Sequence, residues 1–416
     1  MKPSWGMMTK MAESRPVIAV FCMPENGHFQ RMCPLIAMLS EQGAEVHVFT
    51  HGKFRDRVLA NGGWFFDMFS KYPIDAVDDE SRPVPSRFVS YAAAYAEPVR
   101  REVESTGATL VIHDGFAVIG RLVATLLGLP RVNVYAGHNP DPQAFIEGLR
   151  KDPRVSTSRQ CHEAVKVLRE RYGVADASPF SYVSSRSTEL NLYCEPPEFL
   201  GEDERRGLEP VAFFGSLADV AGKTAGGIHF EGAGAETIKI YVSFGTVVWR
   251  YYAGQALEAL TTLASVFGKR NDVRAIISLG GAERGEGVKE LLTRPNVVVK
   301  DYVDQESVLA EADVFVTHHG LNSTHEAIGH GAFMLSYPFF WDQPGLARKC
   351  QAIGVALPLS KDLRGPFGED DVVSALAAWR SDGERIQQAL SRAQEWERAV
   401  IAGRPAVVDR IIELAT

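Results

Sequence analysis

Short, near-continuous apolar runs recur along this chain with helical stretches between them, and that alternation constrains the fold more than any other feature. A strand apolar at nearly every position has to be covered on both faces, which a parallel sheet flanked by helices achieves. In the first half the expected strands are Val17–Met23, Glu45–Thr50, Leu110–His113, Arg131–Tyr135 and Leu190–Tyr193. In the second half they are Lys239–Phe244, Arg274–Leu279, Val297–Val299, Val314–Thr317 and Met334–Tyr337. Between the first two lies Arg31–Gln42, where Met32, Leu35, Ile36 and Leu39 mark one helical face and Gly43 supplies the stop.

At 416 residues the chain is too long for one ordinary core, and two are expected. Residues 217–237 are glycine-rich, with neither a helical nor a strand period, and read as a linker. The expected organisation is therefore a Rossmann-like domain at 1–216, the linker, a second Rossmann-like domain at 238–381 and a helical segment at 382–416. The fold class is α/β, with two domains facing each other across a cleft. In such sheets ligands sit at the carboxyl ends of the strands.

Composition narrows the function classes. Apolar content is 45%, charged content 23% and the formal charge −8, which argues against a nucleic-acid or anionic-membrane surface. The five cysteines, Cys22, Cys33, Cys161, Cys194 and Cys350, are scattered and show no metal-ligand spacing. No apolar run approaches the ~20 residues of a membrane-spanning helix. A cytoplasmic protein, monomeric or homodimeric, without a bound metal or cofactor, is the expectation.

Residues 316–345 carry the chemistry. The strand ending at Thr317 runs into the turn His318-His319-Gly320-Leu321-Asn322-Ser323-Thr324, followed by a helical pattern containing Glu326. A strand, a small polar turn and a helix start present unpaired N–H groups and the positive helix end to an anion. His318, Ser323 and Thr324 add side-chain donors. Glu326 has the reach to accept from ribose hydroxyls, and Asp342-Gln343, past the next strand, can read a sugar. Readers of phosphate, ribose and sugar in that order describe a nucleotide-sugar pocket.

This pattern, His318, Gly320, Ser323, Thr324, Glu326, Ala327, then Pro338, Asp342 and Gln343, resembles the donor signature of the inverting, two-domain (GT-B) nucleotide-sugar glycosyltransferases of family 1. These include bacterial macrolide and antibiotic glycosyltransferases and plant secondary-metabolite glucosyltransferases. Two positions depart from the family pattern: His319 replaces the first glycine of His-Gly-Gly, and Pro344-Gly345-Leu346 replaces an asparagine after Asp-Gln. The resemblance implies that the turn Ser243-Phe244-Gly245-Thr246 touches donor phosphate or sugar. It also puts Tyr302, with Val303, where relatives stack a tryptophan on the base, and implies that the last helical segment packs back on the first domain.

The first domain is left to supply the acceptor site and the base. Its first strand ends in Met23-Pro24-Glu25-Asn26-Gly27-His28, and histidine is the side chain best suited to remove a hydroxyl proton near neutral pH. Asp114, at the end of another central strand, can hold the second ring nitrogen. In the resembling family these two places carry the base and its orienting aspartate. The usual proline three residues past the histidine is Arg31 here. Phe66, Tyr91, His138 and Phe145 are candidates for an apolar acceptor wall. His113 and His319 read as structural.

Together these residues imply transfer of a hexose, glucose-like by the Asp342-Gln343 pair, from a UDP- or dTDP-sugar co-substrate to a hydroxyl of a hydrophobic natural product. Two alternatives are a nucleotide-sugar epimerase of similar build and a non-catalytic, transferase-like auxiliary protein. A nicotinamide dehydrogenase ranks below both, because no G-x-G-x-x-G follows an early strand.

Overall fold

The computed structural model describes residues 15–74, 81–217, 229–281 and 285–416; residues 218–228 of the expected linker lie outside the described residues. Two parallel sheets organise the chain. The first contains β1 (Val17–Phe21), β2 (Glu45–Thr50), β3 (Trp64–Asp67), β4 (Leu110–Asp114), β5 (Arg131–Tyr135), β6 (Leu190–Tyr193) and β7 (Val211–Phe213), ordered β3-β2-β1-β4-β5-β6-β7. The second contains β8 (Ile238–Ser243), β9 (Val273–Ser278), β10 (Val297–Lys300), β11 (Val314–Thr317), β12 (Phe333–Ser336) and β13 (Ala356–Pro358), ordered β10-β9-β8-β11-β12-β13.

All ten expected strands are present, shifted by one or two residues at some ends. The three additional ones, β3, β7 and β13, are all edge strands. They are short, and β3 begins at Trp64, 60% exposed, so no buried apolar run announces them.

Each sheet reverses its winding once, between β1 and β4 in the first and between β8 and β11 in the second. At such a switch point the flanking connections leave on opposite faces and open a crevice at the carboxyl ends. His28 follows β1 and Asp114 ends β4. Ser243 ends β8 and is in register with Thr317, just before His318. The four segments expected to do chemistry therefore lie at the two crevices.

The central strands are buried on both faces; residues 18–21 of β1 have no exposed surface. An apolar cluster under the first sheet, including Ile18, Val20, Leu35 and Ile112, continues into the second domain. The last two helices cross between the domains. Gly383–Ala402 packs on the helix Leu321–His330, and Arg404–Ala415 packs on the helix Asn26–Glu41 and on β7. Arg404, buried, donates from Nε to the Phe214 carbonyl at 2.7 Å and from Nη2 to the Leu217 carbonyl at 2.5 Å. Ala415 offers its carbonyl to Thr109 Oγ1 at 2.6 Å. No helix among the described residues is long and apolar enough to cross a membrane.

Candidate active site

A cleft of about 610 Å³ is lined by both domains. On the second-domain side, the helix Leu321–His330 begins at Gly320 without any side-chain cap. Its first-turn amides are thus left for a ligand. His318 lies between two glycines: a Cβ on Gly245 would meet its Nε2 at 2.7 Å, and one on Gly320 at 2.6 Å. Burial lowers its pKa to about 4, so the ring is neutral and has one N–H to give near pH 7. Below it, Gly280 brings the β9 turn against the β8 turn, where a Cβ would stand 2.1 Å from the Gly245 carbonyl. The floor of this wall is backbone packed on backbone.

Glu326 and Ser323 line the cleft and are joined by Gln305, whose Nε2 donates to Glu326 Oε2 at 2.6 Å and to Ser323 Oγ at 3.0 Å. Tyr302, 71% exposed at the cleft edge, presents an open ring face, while Val303 beside it is buried. Asp342 and Gln343 also line the cleft. One Asp342 oxygen accepts the His138 N–H at 3.0 Å, and burial raises its pKa. Gln343 Oε1 accepts from the amides of Phe339 and Phe340 at 2.9 and 3.2 Å, which leaves its NH2 group as the functional end.

On the opposite wall His28 stands in the first turn of the helix Asn26–Glu41 rather than in a loop before it. Its Nδ1 is 3.4 Å from Asp114 Oδ1, without the alignment of a formed hydrogen bond. Contacts of this kind commonly tighten only when substrate is bound. Phe116 stacks on the ring at a centroid distance of 4.0 Å and fixes its plane. Asp114 is fully buried and accepts from the amides of Met23 at 3.2 Å, Phe116 at 2.7 Å and Ala117 at 3.1 Å. Burial works against its charge, yet the His28 ring and the Met23 amide outweigh it and hold the carboxyl below its ordinary range. The arrangement can take a proton at Nε2 while a carboxylate steadies the other nitrogen.

Residues 229–382 match the family model for UDP-glucuronosyl and UDP-glucosyl transferases. The chain is 24% identical over 359 residues to the uncharacterized UDP-glucosyltransferase YdhE of Bacillus subtilis, covering 83% of this chain and 86% of the relative. It is 26% identical to the oleandomycin glycosyltransferase of Streptomyces antibioticus, covering 83% and 79%. The solved structure of the glycotransferase of kitacinnamycin superposes with a TM-score of 0.75 at 22% identity, over 96% of this chain and 99% of the other. The chain has the two-domain GT-B fold.

Several expected site residues lie elsewhere than the sequence suggested. Thr324 does not line the cleft; it is fully buried, with Oγ1 3.2 Å from His319 Nδ1. His319 takes the left-handed backbone conformation, φ 61°, that a glycine fills without strain. Its other ring nitrogen meets Ser336 Oγ at 2.7 Å, and burial, followed by His318, lowers its pKa to about 3. His319 and His113 are thus buried packing residues, as their reading as structural implied. Asn322 lines the cleft, but its side chain is taken up by the first domain: Oδ1 accepts from Arg31 Nε at 2.9 Å, and Nδ2 lies 3.4 Å from the Gly27 carbonyl. Arg31, where a proline was expected, is itself buried, lines the cleft and also donates to the Ala136 carbonyl.

The acceptor wall needs more correction. Phe145 lines the cleft. Phe66 packs against Phe49 in the apolar core instead. Tyr91 is fully buried with its hydroxyl on the Tyr72 carbonyl at 3.0 Å. The His138 ring turns away onto Glu195. The aromatic surface comes instead from Phe116, Tyr182 and Trp341, with Phe116 set edge-on to the other two at centroid distances of 5.6 and 5.8 Å. Their sequence positions are distant, and only the fold brings them together.

Proposed function

We propose that the protein transfers a hexose from a nucleoside diphosphate sugar to a hydroxyl of a hydrophobic natural product, inverting the anomeric centre. The observation that carries this reading is that one cleft holds both a histidine set against a buried carboxylate and an uncapped helix start of the kind that receives a diphosphate. Names of relatives, such as oleandomycin glycosyltransferase, favour a natural product as acceptor. The aromatic wall of Phe116, Phe145, Tyr182 and Trp341 suits an apolar aglycone.

In this mechanism the acceptor hydroxyl lies against His28 Nε2, which takes its proton while Asp114 stabilises the imidazolium. The oxygen attacks the anomeric carbon from the face opposite the diphosphate, and the C–O bond to the diphosphate breaks. Charge gathers on the departing group, where His318, Ser323 and the first amides of the helix Leu321–His330 meet it. Asp342 accepts and the Gln343 NH2 donates, a pairing suited to neighbouring sugar hydroxyls. A glucose-like donor is therefore preferred to a deoxygenated one, which would leave a polar group unmatched at a cost of ~1–3 kcal/mol.

Incubation with UDP-glucose and dTDP-glucose, with and without a panel of phenolic and polyketide acceptors, tests the reading. Diphosphate release that depends on acceptor supports it; release without acceptor, with an altered sugar, indicates an epimerase instead. Because charge on the leaving group is met by protein N–H groups, EDTA should leave turnover unchanged. Activity lost to chelation and restored by magnesium or manganese would refute that part of the mechanism.

A further inference from the structure

Behind the donor helix, out of contact with the cleft, four ionisable side chains form a continuous chain. His138 Nδ1 meets Glu195 Oε2 at 2.8 Å, Glu195 Oε1 meets His325 Nε2 at 3.2 Å, and His325 Nδ1 meets Glu397 Oε1 at 2.5 Å. None of the four is more than 6% exposed. At one end the His138 amide grips Asp342 in the cleft. The members come from four places: the loop after β5, the segment after β6, the helix Leu321–His330 and the helix Gly383–Ala402. The chain thus runs from the first domain, through the donor helix, to the crossing helix. Arg31 and Asp342 also face the His138–Glu195 end.

Two histidines alternate with two glutamates along this chain. His325, despite its burial, is driven up to about 9 by Glu397 and Glu195, and His138 is raised by Glu195. Buried ion pairs stabilise little more than apolar residues of the same shape, because desolvation offsets their attraction. What they add is direction: each bond is satisfied at one separation and angle. His325 sits three residues after Asn322 and one before Glu326, so the network holds the back of the helix whose front faces the donor.

We propose that Glu195 is a positioning residue for sugar transfer, a first-domain carboxylate that sets the donor helix and Asp342 in register with His28 through His325 and His138. The inference rests on the glycosyltransferase reading. Its signature follows from where Glu195 lies. The nucleotide cradle belongs to the second domain and survives loss of Glu195, whereas alignment of the sugar with the base does not. Misplacement of about 1 Å can cost about 100-fold in rate.

The test is a double-variant cycle of Glu195→Gln, His325→Gln and both together. UDP affinity and stoichiometry are measured by calorimetry, and turnover is expressed per UDP-binding site, using the most active acceptor of the panel above. Each single variant should lose about 10- to 100-fold in kcat with UDP affinity within about twofold of the parent. The double variant should be no slower than the slower single one, because both substitutions break the same link. Unchanged kcat per UDP-binding site would overturn the inference and leave Glu195 a merely structural group. Losses that multiply in the double variant would also overturn it. If Glu195→Gln does not fold, Glu195→Asp, which shortens the carboxylate's reach to both histidines, replaces it in the same cycle with the same expected outcomes. Wild-type protein that turns over no nucleotide sugar defeats the glycosyltransferase reading; an active wild type matched by its variants defeats this inference alone.

Discussion

The two walls of the cleft are built on different principles. The donor wall is local: one strand, one turn and one helix start, residues 314–330, supply most of its polar groups, with the β8 turn packed against them through backbone. The wall facing it is assembled from afar. His28 lies after β1, Asp114 ends β4, and the aromatic groups come from residues 116, 145, 182 and 341. An anion held by main-chain N–H groups demands a particular backbone path, and a backbone path leaves a mark in sequence as glycines and small polar residues at fixed spacing. An apolar surface demands only shape, which many combinations of side chains provide.

Substitutions that strike one wall should spare the other. His28→Ala should give the largest effect, a loss of ~10²–10⁴ in transfer, with UDP binding retained. A parallel loss of UDP affinity would show that the two walls do not divide the labour as described. Gly280→Ala comes next. Its Cβ would meet the Gly245 carbonyl at 2.1 Å with φ at 64°, so the β8 turn must move. UDP affinity should fall by roughly 10-fold or more and the melting temperature should drop, as expected where a glycine-only conformation is forced on alanine. A variant binding UDP like the parent would disprove the claim that this wall depends on backbone contact.

On the acceptor side, Trp341→Ala removes a ring that packs edge-on to Phe116 and donates to the Pro83 carbonyl at 3.0 Å. Acceptor KM should rise about 10-fold, the scale of one well-packed aromatic contact, with UDP affinity little altered. Trp341 adjoins Asp342, so a matching change in KM for the nucleotide sugar would blur the division between walls at this corner.

The smallest effect concerns pH and separates the donor wall from its backing. His318 and His319 are held neutral by burial, near 4 and 3. The unfolded chain takes protons there from about pH 6.5 downward that the native state refuses, so stability should fall as pH drops below that value. His325 is raised to about 9 by its glutamates against the pull of burial. Its contribution is complete below about pH 6.5 and disappears as pH rises to about 9. Melting temperature should therefore peak near pH 6.5, and His325→Gln should flatten the alkaline limb alone. A melting temperature flat from pH 5 to 9 would contradict both halves.

The same contrast explains what could be read in advance. The long buried strands, both switch-point turns and the pairing of His28 with Asp114 leave local signals, and the structure brings these residues together. Thr324 misled because its hydroxyl is claimed by His319, whose ring depends on a positive φ that sequence does not display. Gln305 was visible in Tyr302-Val303-Asp304-Gln305 but had no partner until Glu326 and Ser323 were placed beside it. Arg31 stood out as a departure from the family's proline, yet its bond to Asn322 spans 291 residues. Glu195 gave no signal, since its worth depends on two histidines from separate parts of the chain.

The crossing of the final helix has a consequence for synthesis. Val408, Ile411 and Ala415 are buried, and their helix covers the one that carries His28. During translation the first domain therefore leaves the ribosome with that apolar surface uncovered, and residues 404–415 close it only after the second domain has been made. A chain cut before residue 404 should be captured by chaperones or proteases before it can act, so completion of the first domain waits on a segment made after the second.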